Sequence, residues 1–186
     1  MGKFNFLQTK IKDLYIVEPT VFGDNRGYFM ETYNKGDFFA AGQCYDFVQD
    51  NQSSSRKGVL RGLHFQKKYP QAKLVRVLKG AVYDVAVDLR KDSETYGQWM
   101  GIVLSEENKR QFMIPRGFAH GFLVISDYAE FAYKCDNAYH PEDEGGISYD
   151  DKDLNIDWEE QLGNAEIILS EKDKKHPCLK DVKIAF

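Results

Sequence analysis

Runs in which apolar and polar residues alternate recur along most of the chain, with Gly, Asp, Asn or Pro between them. That period of two predicts β-strands joined by tight turns. "LYIVEPTVFGDNRGYFMETY" reads as two strands about the turn "GDNRG", and "DFFAAG" as a short helix stopped by Gly42. Further strands are expected near 45–52, 58–66, 73–79, 81–89, 98–104, 110–114, 121–126 and 129–136. Most lie close to the spacing of an all-β sandwich or barrel. In "GAVYDVAVDLR" the odd positions (Ala81, Tyr83, Val85, Val87, Leu89) are apolar, while the even ones include Asp84 and Asp88. One apolar face and one face free for polar work are therefore expected. Beyond about residue 136 the chain turns acidic and loop-like, in "HPEDEGGISYDDKD". From "WEEQLG" onward, short helices and turns are expected to pack on the barrel. The expected organisation is one domain over 1–186, with the barrel at about 14–147 and the C-terminal layer at 148–186.

Composition narrows the class. Of the 186 residues, 42% are apolar and 29% charged, ordinary proportions for a globular chain with a filled core. Aromatics reach 14%, which suits strands and offers stacking surfaces. A net charge of −4 gives no electrostatic footprint for nucleic acid. Cys44, Cys135 and Cys178 are far apart and odd in number, and read as free thiols in a reducing compartment. "MGKFNFLQTK" has no signal-peptide core, and apolar runs such as "FLVI" are too short for a bilayer. The expected setting is cytoplasmic, with no membrane partner.

The candidate chemistry begins at "GVLRGLHFQ", residues 58–66, where a strand carries His64 among apolar neighbours. Taken alone, that histidine reads as a core residue, a metal ligand or a base. Spacing adds to this. Gly58, His64, Gln66, Lys73 and Gly80 fall in an order that resembles the first cupin motif, and "PRGFAH" (Pro115, Gly117, His120) fits the second. The prolines and glycines have a mechanical meaning as corner-formers. Such spacing places four side chains in the mouth of one barrel, so an all-β cupin-type jelly roll is expected. Metal-binding cupins hold their ion there with three histidines and a glutamate. In this chain the middle histidine is Gln66, and the glutamate position falls near Lys73. An ammonium has no lone pair and repels a divalent cation, and two histidines alone make a poor site. No metal and no other cofactor are expected. Two histidines, a lysine, an arginine and nearby tyrosines suit proton transfer instead, with imidazole as base and a cation for an enolate oxygen.

"VFGDNRGYFMETY", "VQDN", "VLRGLHFQ", "KLVRVLKGAVYDVAVDLR", "YGQW", "LSEENKRQFMIPRGFAHGF" and "AEFAYKCDNAY" occur in this order and resemble the dTDP-4-dehydrorhamnose 3,5-epimerase family. The likeness is dense from about 17 to 147 and thins over the last 40 residues. It implies an isomerase that needs no cofactor and acts on a dTDP-4-keto-6-deoxyhexose, in dTDP-L-rhamnose formation. The C4 carbonyl acidifies the protons at C3 and C5. A base on one side of the ring removes each proton, and an acid on the other returns it with inverted configuration. The resemblance makes His64 the base, Tyr133 the proton donor and Asp173 the carboxylate that orients His64. Lys73 would steady the enolate, with Asp84 in the same patch. Arg61 would hold the diphosphate, and Gln49, Asp50 and Asn51 the nucleotide. Tyr139 would stack on thymine, His120 would face the sugar, and Glu144 and Lys172 would add contacts. Arg26 and Glu31 would reach the nucleotide from the partner subunit of a strand-exchanged homodimer.

Plainer readings stand beside these roles. Tyr133 can be a barrel aromatic. Asp173 in "SEKD" can belong to a capping box opened by Ser170. Arg26 can hold its turn, and Glu144 can be a solvated loop charge. A relative that inverts one carbon, a non-catalytic sugar-nucleotide binder and a metal cupin oxygenase remain as alternative functions. One geometric demand is specific. Residues three apart on a regular strand face opposite ways, so Arg61 and His64 can share a pocket only if the strand bulges, and Gly62 is the place for it.

Overall fold

The computed structural model describes residues 3–163, 165–182 and 186. Two antiparallel sheets face each other. The first has six strands: β1 (Phe4–Gln8), β2 (Tyr15–Pro19), β5 (Gln49–Arg56), β7 (Lys73–Lys79), β10 (Gln111–Ile114) and β12 (Tyr128–Cys135). They lie in the order β1-β2-β10-β7-β12-β5. The second sheet holds β6 (Leu60–Gln66), β8 (Ala81–Asp88), β9 (Trp99–Ser105), β11 (Phe118–Val124) and β13 (Glu144–Gly146), in the order β13-β6-β11-β8-β9. A separate hairpin is formed by β3 (Phe22–Asp24) and β4 (Gly27–Phe29). Consecutive strands alternate between the sheets often enough that the sandwich is a jelly roll of the cupin type.

Period-two patterning is what stacks these sheets. Val75, Val77, Phe112, Ile114 and Phe131 of the first sheet meet Val82, Ala86, Ile102, Leu104, Phe122 and Val124 of the second. The outer face of the first sheet is covered by α1 (Lys35–Ala40), whose Phe38 packs with Phe4, Val17, Leu74 and Met113. Asn34 caps that helix by accepting from the Asp37 N–H, so it starts earlier than "DFFAAG" suggests. The outer face of the second sheet is covered by the C-terminal layer, including Leu154 and, from the short helix α2 (Trp158–Leu162), Trp158 and Leu162.

Three local expectations need correction. The strand placed at 45–52 begins at Gln49, because Tyr45 and Phe47 belong to the aromatic cluster around Phe38, and the polar "QSSSR" pairs with β12 instead. The hairpin about "GDNRG" forms, with Phe22–Asp24 against Gly27–Phe29, but it is shorter than expected, because Tyr15–Pro19 takes no part in it. After Pro19 the chain leaves the sheet, and β2 pairs with β1 and β10. β8 has no solvent face at all. Tyr83, Val85 and Val87 lie under the C-terminal layer, Val82 and Ala86 lie between the sheets, and Asp84 and Asp88 are both fully buried. Asp88 accepts from Arg90, Ser93 and Thr95 and so organises the loop after its strand. The helices are five and six residues long, and no described helix is long and apolar enough to cross a membrane. The three cysteines are unpaired.

Candidate active site

The site lies between the sheets at one end of the barrel, and strand register decides who is there. On the first sheet, Tyr133 sits opposite Asn51 and Val75, and Cys135 sits opposite Gln49 and Lys73. On the second, His64 sits opposite His120. Two lobes of about 330 and 420 Å³ open here, and both are lined by His64, Lys73 and Tyr133. Gln49, Asn51, Tyr139 and Glu144 line the smaller lobe. Arg61, His120, Lys172 and Asp173 line the larger.

Arg61 reaches this cavity because β6 is bulged. His120 and Phe122 are two apart on β11, yet their partners His64 and Arg61 are three apart on β6. The extra residue turns Arg61 to the same side as His64. Gly62 makes this possible, with φ of +131° and no room for a side chain: an added Cβ would stand 2.5 Å from the Gly121 Cα. The bulge demanded by the sequence is therefore present. Gly80 similarly forms the corner between β7 and β8, with φ of +74°. Arg61 itself is exposed, and its guanidinium donates to the Ser55 hydroxyl.

His64 Nε2 lies 2.6 Å from Asp173 Oδ1, across 109 residues of sequence. Asp173 sits in a 3-10 turn (Asp173–Lys175), where its N–H donates to the Ser170 hydroxyl. The local turn anticipated from "SEKD" and the histidine contact therefore coexist: the backbone uses Ser170 and the carboxylate uses His64. Burial alone would raise the proton affinity of Asp173, but the hydrogen bonds and positive potential of His64, with help from Ser170 and His176, hold it below the usual carboxylate range. An ionised carboxylate there fixes the hydrogen of His64 on Nε2 and leaves the lone pair on Nδ1. Nδ1 points toward Glu144, whose Oε1 is 3.8 Å away.

Lys73 and Tyr133 come from the opposite sheet. The Lys73 ammonium has no hydrogen-bond or ion-pair partner among the described residues, and it lies 6.0 Å from the Tyr133 ring centroid. Burial pushes its proton affinity down, against the pull of Cys135, Asp84 and Glu144. Burial raises that of the Tyr133 phenol, which keeps it protonated. Glu144 accepts from the Tyr139 hydroxyl at 2.6 Å and from the Lys172 ammonium. This bond pushes the Tyr139 phenol up to about 12, while the ring remains about half exposed.

Four expected residues lie elsewhere in the single chain. Asp50 faces outward, as period two requires between Gln49 and Asn51, and pairs with Lys134. Asp84 lines neither lobe: it is buried beneath His120, whose Nε2 is 3.0 Å from both carboxylate oxygens. It orients His120 instead of facing a ligand. Arg26 pairs with Asp24 in the exposed β3–β4 turn, and Glu31 pairs with Lys3. One neighbour escaped the sequence reading. His176, three residues after Asp173, brings its Nε2 to 3.4 Å from Asp173 Oδ1 and lies edge-on to His64 at 5.6 Å. Its i, i+3 spacing from Asp173 in "DKKH" was the available signal.

A cupin-type barrel whose mouth holds a carboxylate-fixed histidine, a tyrosine and an unpaired lysine belongs to the class of acid–base isomerases. Comparison with known proteins makes this particular. Residues 8–181 match the family described as dTDP-4-dehydrorhamnose 3,5-epimerase. The protein of that name from Methanothermobacter thermautotrophicus is 52% identical over 181 residues, covering 97% of each chain. The one from Escherichia coli is 53% identical over 173 residues, covering 92% of each. Among solved structures, the dTDP-6-deoxy-D-glucose-3,5-epimerase of Legionella pneumophila in complex with dTDP-4-keto-L-rhamnose superposes with a TM-score of 0.93 at 51% identity, over 97% of this chain and 95% of that one. The chain belongs to the dTDP-4-dehydrorhamnose 3,5-epimerase family.

Proposed function

We propose that this chain epimerises dTDP-4-dehydro-6-deoxy-D-glucose at C3 and C5, without a cofactor, in the formation of dTDP-L-rhamnose. The observation that carries this reading is the His64–Asp173 pair facing Tyr133 across one cavity, with an unpaired Lys73 between the sheets. His64 Nδ1 takes the proton from the carbon beside the C4 carbonyl. Asp173 stabilises the imidazolium that forms. The developing enolate at O4 is met by the Lys73 ammonium, whose charge is spent on no other described group. Tyr133, from the opposite sheet, delivers a proton to the other side of the ring, which inverts the centre. Arg61 presents a guanidinium fork for the diphosphate, Tyr139 a half-exposed ring for thymine, and Gln49 and Asn51 amides for the nucleotide.

Arg26 and Glu31 serve this site from a second copy of the chain. The β3–β4 hairpin beside them exposes Phe22, Tyr28 and Phe29 by 58–67%, an apolar area that a homodimer would cover. Sedimentation would give a dimer, and Arg26→Ala would raise KM with little change in kcat. Epimerisation itself is tested in D2O. The wild type incorporates deuterium at two ring positions, a single-carbon relative at one, and a non-catalytic binder at none. Near-normal exchange in His64→Ala would rule out the mechanism.

A further inference from the structure

We propose that His64, Asp173 and His176 form a binding site for a divalent transition metal of the zinc class, and that the metal inhibits by capturing the base. Asp173 Oδ1 faces two imidazole nitrogens, His64 Nε2 at 2.6 Å and His176 Nε2 at 3.4 Å. One ligand atom from each residue lies within 4.8 Å of the others. His176 Nε2 is buried, makes no hydrogen bond of good geometry, and faces Asp173 Oδ1 at 3.4 Å. The ring cannot turn away freely. It is wedged over Gly146, where an added Cβ would stand 2.3–2.4 Å from its atoms, and against the edge of His64.

Two imidazoles and a carboxylate are the donor set of open zinc sites, and oxygen-seeking Mg²⁺ and Ca²⁺ are poorly served by it. Ligand bonds of ~2.0–2.1 Å in a tetrahedron separate donors by ~3.3 Å. The present separations from Asp173, 2.6 and 3.4 Å, bracket that value. The trio shares His64 with the mouth predicted by the cupin spacing but uses none of Gln66, Lys73 and His120, and takes its other two donors from the C-terminal layer. His64 and Asp173 line the larger lobe, which leaves a coordination position toward the cavity.

Capture changes the tautomer. A metal on His64 Nε2 takes the place of the hydrogen now held against Asp173, and that proton moves to Nδ1. Nδ1 then has no lone pair for a substrate C–H. Metal and proton transfer exclude each other, and a chelator restores activity. His176 moves no proton in the proposed transfer but helps hold Asp173 ionised, so each His176 variant's own metal-free rate is the reference for the zinc effect.

The binding half stands on geometry alone, while the inhibitory half rests on His64 being the base. Metal-stripped full-length protein is titrated with Zn²⁺ against a chromophoric chelator. His176→Gln and His176→Leu are compared after their thermal melts are matched to wild type, and a Zn²⁺-soaked wild-type crystal is read by anomalous scattering. The expected result is one equivalent bound among the three side chains, weakened by at least ~10-fold in both variants. Deuterium exchange is blocked in wild type, restored by EDTA, and insensitive to the same Zn²⁺ concentration in the variants. No bound zinc, an anomalous peak elsewhere, or unchanged affinity in either variant overturns the site and leaves the base assignment untouched. Zinc held by the trio with full exchange activity overturns the inhibitory role and counts against His64 as base.

Discussion

Replacing Asp173 by Asn changes one charge at nearly constant shape, in a contact of 2.6 Å with His64 Nε2. The carboxylate is held below its usual proton affinity, so at neutral pH it is an anion that orients His64 and supports the imidazolium of the transition state. A charge-assisted bond contributes about 1.5–3 kcal/mol, and a neutral one about 0.5–1.5. The difference of about 1–2 kcal/mol corresponds to a loss of roughly 5–30-fold in rate. The tautomer adds to this. If the amide turns its NH₂ toward Nε2, the hydrogen moves to Nδ1 and the base is lost, which in comparable dyads extends the deficit to ~10⁴. The expected fall therefore runs from roughly 5–30-fold to ~10⁴ in the initial rate of deuterium uptake at C3 and C5, followed by NMR in D2O, with KM changed far less than kcat. Stability supplies an independent sign. A depressed carboxylate stabilises the fold above its unfolded pKa and loses that contribution as pH falls through the folded one. The wild type should accordingly exceed Asp173→Asn in stability at neutral pH and lose the advantage below about pH 4. Exchange within ~2-fold of wild type, in a variant with unchanged fold, would refute the role assigned to this carboxylate.

Tyr133→Phe removes the donor and spares the base: deuterium exchange beside the carbonyl should persist while inverted product falls by ~10²–10⁴, and product at the wild-type rate would exclude Tyr133 as the acid. Lys73→Met should separate stability from activity. The buried ammonium now penalises the fold until the pH nears the ordinary lysine value of ~10.4, so its removal should raise the melting midpoint by ~2–4 °C per kcal/mol recovered while turnover collapses. Gly62→Ala should cost ~3 kcal/mol or more in denaturant unfolding, because the new Cβ meets backbone 2.5 Å away at a φ of +131°. A change below ~1 kcal/mol would show that the bulge is not fixed by this residue.

How far the sequence carried depends on the range over which each determinant acts. Alternation placed most of the inner strands, because one face of each meets the opposite sheet. The same rule misjudged β8, whose second face is buried by a layer more than sixty residues downstream, and nothing local records that cover. β5 was misplaced because its polar residues gain their strand from pairing with β12, a non-local contact. At the site, the three-residue gap between Arg61 and His64 was enough to require a bulge. The Asp50 expectation treated "QDN" as a unit, although adjacent strand residues face opposite ways. His176 was passed over because its relevance comes from Asp173 folding back on His64, which spacing alone does not announce.

The two departures from the metal-cupin pattern explain why the fold can keep its mouth and change its chemistry. Gln66, at the position of a ligand histidine, has turned its amide to the backbone. It donates to the carbonyls of Tyr69 and Ala138 and accepts from the His140 N–H. Those bonds brace the loop on which Tyr139 stands, so a ligand position has become support for the wall of the smaller lobe. Lys73, near the position of the carboxylate, places a covalently fixed cation beside Tyr133. A bound metal would need anionic or neutral ligands around it, and their replacement by one ammonium supplies the positive charge directly. The cost is a buried charge with no partner among the described residues, which ordinary packing would not favour. Such a cost is offset only when an oxyanion forms within reach, and an enolate at the carbonyl between C3 and C5 is such an oxyanion. The destabilised lysine and the carboxylate-fixed histidine thus make complementary demands on one substrate: an acidic C–H beside a carbonyl whose oxygen can take up the charge.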